Sequence, residues 1–194
     1  MRAPRGFARG LPMSIIEQQF KAGMRHLAGA VNVITSTALD GERSGMTATA
    51  VCSVCASPPT LLVCVNAQNR SHKAIQESGA FAVNLLALRD QGIASAFASG
   101  RPSHEKFEHG RWSTLETGAP VLGSALVAFD CRVRTTLTMG THEVVFGEIV
   151  AMRLHEAQLP PLLFTHGAFG SFEASRAFAG PIEAVMAGQE AGWG

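Results

Sequence analysis

The sequence predicts a mainly β fold with inserted helices, a small closed or split β-barrel rather than a doubly wound sheet. Three observations carry this. Six or seven β-branched or apolar runs recur along the 194 residues, with short helical segments between them. Two of those runs, 125–137 and 143–154, are long and joined only by the tight turn MGTH, so they pair antiparallel. No G-x-G-x-x-G follows a strand and no G-x-x-x-x-G-K-[ST] is present, which removes the dinucleotide and P-loop motifs.

Element by element, Ser14 with Glu17 forms a capping box, and Ile16, Phe20, Met24 and Leu27 follow at helical spacing. This predicts an amphipathic helix of roughly 13 residues that ends near Gly29. AVNVITST, the turn LDGERSG with its Asp40-Gly41 pair, and MTATAVCSV make a hairpin. Ser57-Pro58-Pro59 stops it, and TLLVCVN is a third strand of buried character. Asn69, Arg70 and Ser71 open the short helix SHKAIQES, with Ser71 as its N-cap and Gly79 as its stop. FAVNLL is a strand, 90–98 a second short helix, and SGRPSHEKFEHG a loop with some helical character. The two long strands and PLLFTHGAFGSF complete the domain, expected over 14–173. Residues 1–13 carry three arginines and no acid and are expected to be a disordered leader, with Met13 an alternative start. Residues 174–194, rich in Ala and Gly, form a C-terminal tail.

Composition excludes several classes. An apolar content of 46% suffices for a substantial core in one domain. The balance of 16 Lys plus Arg against 15 Asp plus Glu, without a basic block, offers no charge handle for nucleic acid or an anionic membrane. Apolar runs such as SALVAF last about six residues, far short of the ~20 of a membrane span. Cys52, Cys55, Cys64 and Cys131, in a chain with no export signal, point to reduced thiols in the cytoplasm. Cys52 and Cys55 form a C-x-x-C, but on a regular strand residues an odd number apart face opposite ways. No second C-x-x-C completes a zinc site, so no metal is expected.

Alternation places Thr47, Thr49, Val51 and Ser53 on one face and Met46, Ala48, Ala50 and Cys52 on the other. Either a flat, partly polar ligand lies on the hydroxyl face, or the hydroxyls bond to backbone carbonyls of a packed core. Ser71 between Arg70 and His72 at a helix start is a candidate phosphate seat, or an ordinary cap beside an exposed arginine. Lys106 and Phe107 pair a cation with an aromatic, either a ligand contact or a solvated face with a packing anchor. His142, in the turn between the long strands, is placed to reach a cleft or to lie exposed. No Ser-His-Asp, H-E-x-x-H or paired-carboxylate pattern competes, and Glu143 and Glu148 fall on opposite strand faces. Chemistry by protein groups alone is thus poorly supported, and a bound cofactor is indicated.

The ordered set AVNVITS, GMTATAVCSV, PPTLLVCVN, NRSH, FAVNLL, KF, FDCRV, GTHEVVFGEI and PLLFTHGAF resembles the short-chain flavin reductase family, the reductase components of two-component flavin monooxygenases. The resemblance spans about residues 18 to 172 and is closest to reductases of pyrimidine utilisation and aromatic hydroxylation. It implies an FMN-binding split barrel, a homodimer, and hydride transfer from NADH, or NADPH, to FMN or FAD for a separate flavin-dependent monooxygenase. It further implies that the segment Met46, Thr47, Ala48, Thr49 to Ser53 lies along the flavin ring and ribityl chain. Asn66, Arg70, Ser71 and His72 then hold the phosphate end, Lys106 and Phe107 belong to the same site, and His142 sits beside the nicotinamide as the catalytic residue. Where many relatives have Gly-Asp-His this chain has Gly140-Thr141-His142, a form that resembles the Gly-Thr-His of the pyrimidine-pathway relatives, and Phe169 stands where a tyrosine is common, in a chain with no tyrosine. The other readings are a non-catalytic flavin-binding split barrel, acting as store or sensor, and a thiol metal-binding protein through Cys52 and Cys55.

Overall fold

A computed structural model describes residues 15–157 and 159–172. In chain order its elements are α1 (Ile15–Met24), β1 (Gly29–Ala30), β2 (Asn32–Thr37), β3 (Arg43–Ala48), β4 (Val51–Ala56), β5 (Pro59–Asn66) and α2 (Arg70–Ser78). They continue with β6 (Ala80–Leu85), a 3-10 turn (Leu88–Asp90), α3 (Gln91–Ala98), α4 (Ser103–Phe107), β7 (Trp112–Thr114) and β8 (Pro120–Leu122). The last four are β9 (Val127–Met139), β10 (His142–Leu154), β11 (Leu163–Thr165) and β12 (Ala168–Gly170).

Seven strands form one antiparallel sheet in the order β3-β2-β6-β9-β10-β5-β4. Its two edge strands, β3 and β4, are consecutive in the chain and separated only by Thr49 and Ala50. The sheet must therefore curl until its edges meet. Among the described residues no ladder joins β3 to β4, so the barrel is split along that seam. The expected single strand MTATAVCSV is thus two strands on opposite edges, with the break falling where the small residues cluster.

Burial on both sides of the wall explains the near-continuous apolar runs. On β2, Val33 packs with Phe97, Phe107 and Leu122 under the helices, while its neighbour Ile34 packs with Phe81, Val63 and Ile75 inside the barrel. Each such fully buried side chain contributes roughly 1.5–3 kcal/mol. Gly147 makes room for this packing, because a Cβ there would lie 2.4 Å from the Phe81 ring. The β2–β3 turn closes through the Ala38 N–H donating to Glu42 O, with Gly41 at φ +86 as Asp40-Gly41 predicts.

Several sequence expectations change. Helix α1 is shorter than expected and buries no residue, and Ser14 lies outside the described residues, as do 1–13 and 174–194. β5 is not buried throughout: Leu61, Val63 and Val65 face the core and their neighbours are part-exposed. Asn69, not Ser71, caps α2, its side chain accepting the Ser71 N–H at 3.0 Å. Cys52 and Cys55 are exposed, and a bulge between Ser53 and Cys55 sets Cys52 opposite Leu62 and Cys55 opposite Thr60. Their partners are two apart, so the extra residue turns both cysteines to one face and cancels the alternation that would separate them. No group of three or more metal-ligating side chains joins them among the described residues.

Candidate functional site

Two depressions flank β3, and both also use the end of α3. The first, of about 230 Å³, is lined by Ser44 and Gly45 of β3, Asn69 and Arg70 at the start of α2, and Ser99, Gly100, Arg101, Ser103 and Lys106. It joins three cations to two hydroxyl side chains beyond β3, at the positive end of a nine-residue helix. The lysine pKa is held below its ordinary 10.5, first by partial burial and then by the Arg70 guanidinium nearby. Crowded cations of this kind are relieved by an anion, and this donor set suits a phosphate.

The first turn of α2 is pinned from two sides. Ser71 is 1% exposed, and its hydroxyl lies 3.0 Å from that of Ser44, so it stands behind the depression and braces Arg70. His72 turns away from the depression to Glu143 on β10, at 2.7 Å. Asn69 also donates toward the Met46 sulfur at 3.4 Å, and Met46 itself is 7% exposed, inside the barrel.

The second depression, of about 240 Å³, lies further along β3 and is lined by Val31, Thr47, Ala48, Thr49, Ala98, Phe164 and Phe169. Its wall is apolar and aromatic, with the Phe164 and Phe169 rings 5.3 Å apart at 64°. A flat ring suits this lining, and small residues on β3 allow it to approach the backbone. Thr47 donates its hydroxyl to Ala94 O at 2.7 Å and so ties α3 to β3, which is the packed-core alternative realised at one position. At about 3.3 Å per residue, Gly45 and Thr49 stand roughly 13 Å apart. That span suits a ring and a phosphate joined by a short polar chain.

The other expected residues are more dispersed. Lys106 belongs to the first depression, whereas Phe107 is 5% exposed in the core, with the Arg43 guanidinium 4.5 Å above its ring. Ser53 lies on β4 and lines neither depression, and Asn66 ends β5 opposite His142. His142 is exposed at the β9–β10 turn, where Gly140 takes φ +60, and its Nδ1 lies 2.9 Å from the Thr141 hydroxyl. Threonine thus supplies a polar contact to the ring in the Gly-Thr-His version of the motif. Sequence reasoning missed Ser44, Ser99, Arg101 and Ser103. For the last three the signal was the SGRPSHEK run, read only as a loop with some helical character.

These features describe a split-barrel protein with a cationic depression and an aromatic-walled one along one strand. The chain belongs to the flavin reductase family: the flavin reductase like domain matches residues 24–173. It is 42% identical over 139 residues to an NADH-dependent FMN reductase, RutF, of Ancylobacter novellus, covering 72% of this chain and 76% of that one. Among solved structures it is similar to nitrilotriacetate monooxygenase component B of Mycobacterium thermoresistibile, with a TM-score of 0.77, 30% identity, and 82% of this chain and 88% of that chain covered. It is also similar to the NADH:FAD oxidoreductase SgcE6 of Streptomyces globisporus, with a TM-score of 0.76, 27% identity, and coverage of 86% and 99%. No helix among the described residues is long and apolar enough to cross a membrane.

Proposed function

We propose that this chain is an NADH-dependent flavin reductase that supplies reduced FMN, or FAD, to a separate monooxygenase. The observation that carries the reading is the pairing along β3 of a three-cation depression with an aromatic-walled one, a seat with the two chemistries of a flavin mononucleotide. A flavin and a nicotinamide held there would supply the redox chemistry, with hydride passing from nicotinamide C4 to flavin N5. Arg70, Arg101 and Lys106 hold the phosphate, and Ser99 and Ser103 complete its hydrogen bonds. Thr47, Ala48 and Thr49 carry the ring against Phe164 and Phe169, and orienting donor and acceptor is the main catalytic contribution.

His142 faces the nicotinamide in this reading. With Nδ1 engaged by Thr141, Nε2 is the nitrogen it presents. Apolar side chains that α1 leaves exposed, among them Ile16, Phe20 and Met24, support a homodimer whose second copy covers them. The four cysteines, all unpaired, support a reducing, cytoplasmic setting. Exposed lining residues, Gly100 and Arg101 in one depression and Thr49 and Phe164 in the other, support a flavin that leaves after reduction and acts as a substrate. Ultrafiltration under anaerobic conditions tests that delivery. Reduced FMN recovered in the filtrate after reaction with NADH supports it, and reduced flavin retained wholly with the protein overturns it.

A further inference from the structure

Glu143 is a carboxylate that the proposed hydride transfer leaves without a task. It is 6% exposed, and β10 carries it directly after His142, opposite Val65 on β5 and Thr138 on β9. A carboxylate stripped of water there needs donors. Both come from α2, from His72 Nε2 at 2.7 Å and Gln76 Nε2 at 3.4 Å. Residues 72 and 76 are one turn apart, so one stripe of α2 serves this single oxygen.

Three successive residues of that first turn then divide the work. Arg70 lines the cationic depression, Ser71 bonds Ser44 of β3, and His72 bonds Glu143 of β10. The Glu143 contact joins the phosphate end of the site to the strand end that presents His142. Alternation along β10 turns Glu143 inward and leaves His142 exposed, so one short segment both anchors the seat and carries the histidine.

We propose that His72 and Glu143 form a positioning pair that fixes the phosphate seat relative to His142, so that flavin held at the one is aligned with nicotinamide at the other. The inference rests on the proposed function. Losing either partner leaves the other buried without its bond and frees the first turn of α2, and Arg70 with it, to shift.

The test compares His72→Leu, Glu143→Leu, their double variant and Glu143→Gln, each first shown to fold by its melting curve. FMN and riboflavin binding are read by flavin fluorescence, and kcat by NADH oxidation with FMN. Each leucine variant is expected to lower kcat about ten-fold and FMN affinity several-fold while riboflavin affinity holds, and the double variant to lose no more than one single. Glu143→Gln keeps an acceptor for His72 and recovers most of the loss. Should the leucine variants fail to fold, Gln76→Met, which removes only the exposed second donor, is expected to lower kcat two- to three-fold. Folded leucine variants with unchanged kcat and FMN affinity, losses that multiply in the double variant, or an unchanged Gln76→Met overturn the pair. The two failures separate: an unaltered chain that does not oxidise NADH with FMN overturns the reductase reading, whereas an active chain matched by its variants overturns only the positioning role.

Discussion

The Ser71 hydroxyl meets that of Ser44 at 3.0 Å, with both side chains buried, and this contact locks the start of α2 onto β3. Behind the cationic depression, it holds Arg70 where a phosphate is expected. Ser71→Ala removes one buried hydrogen bond and is expected to lower unfolding free energy by about 1 kcal/mol, measured by urea denaturation. FMN affinity should fall with it, and riboflavin affinity should hold.

Arg101 was invisible as a site residue in the sequence, and the fold brings it to the cationic depression. Removing a charge-assisted contact to phosphate costs about 1.5–3 kcal/mol, so Arg101→Ala should weaken FMN binding on the order of ten- to one-hundred-fold. Riboflavin, without phosphate, provides the control, and its affinity should change little.

Lys106 gives the phosphate seat a pH dependence. Its lowered pKa means that it loses its proton below the ordinary lysine value of 10.5, and an anion prefers the protonated form. FMN affinity should therefore fall as pH rises through that lowered pKa, and Lys106→Arg should carry binding to higher pH. For folding alone the sign is opposite. The protonated lysine is disfavoured in the native chain, so its unfavourable contribution fades as pH rises through the same window. Binding titrations and melting curves over one pH series check both signs.

Thr49 is exposed beside the ring depression, while Thr47 is tied to Ala94. Thr49→Val should loosen flavin by about 1 kcal/mol without changing the melting temperature. Thr47→Val should instead lower stability by a similar amount. His142→Ala should impair NADH use more than flavin binding, and unchanged NADH kinetics would remove it from the site.

Thiol reactivity separates the cysteines. Cys52 and Cys55 are exposed, whereas burial, and then the charge of Asp130 beside it, push the Cys131 thiol far above the usual range. A thiol reagent added to the native protein should label Cys52 and Cys55 and leave Cys131 unlabelled until unfolding.

Periodicity made most of the elements legible. The β2–β3 hairpin, α2, α3 and the paired long strands follow from alternation, Asp40-Gly41 and Gly79. What escaped was non-local. The split of MTATAVCSV depends on closure of a seven-stranded sheet, which no short window of sequence contains. The orientation of Cys55 depends on a bulge that adds one residue opposite β5. His72 could be placed at a helix start, but its partner Glu143 lies 71 residues away and only the barrel brings them together. Likewise Phe107 follows Lys106 in the chain, yet one meets the depression and the other the core.

The measurement that tests the central claim most directly follows NADH absorbance with the purified chain, with and without added FMN, FAD or riboflavin. NADH consumption that requires added flavin and is fastest with a phosphorylated one is the predicted result. Binding of FMN with no NADH consumption under any flavin would contradict it and leave a flavin-binding protein without reductase activity.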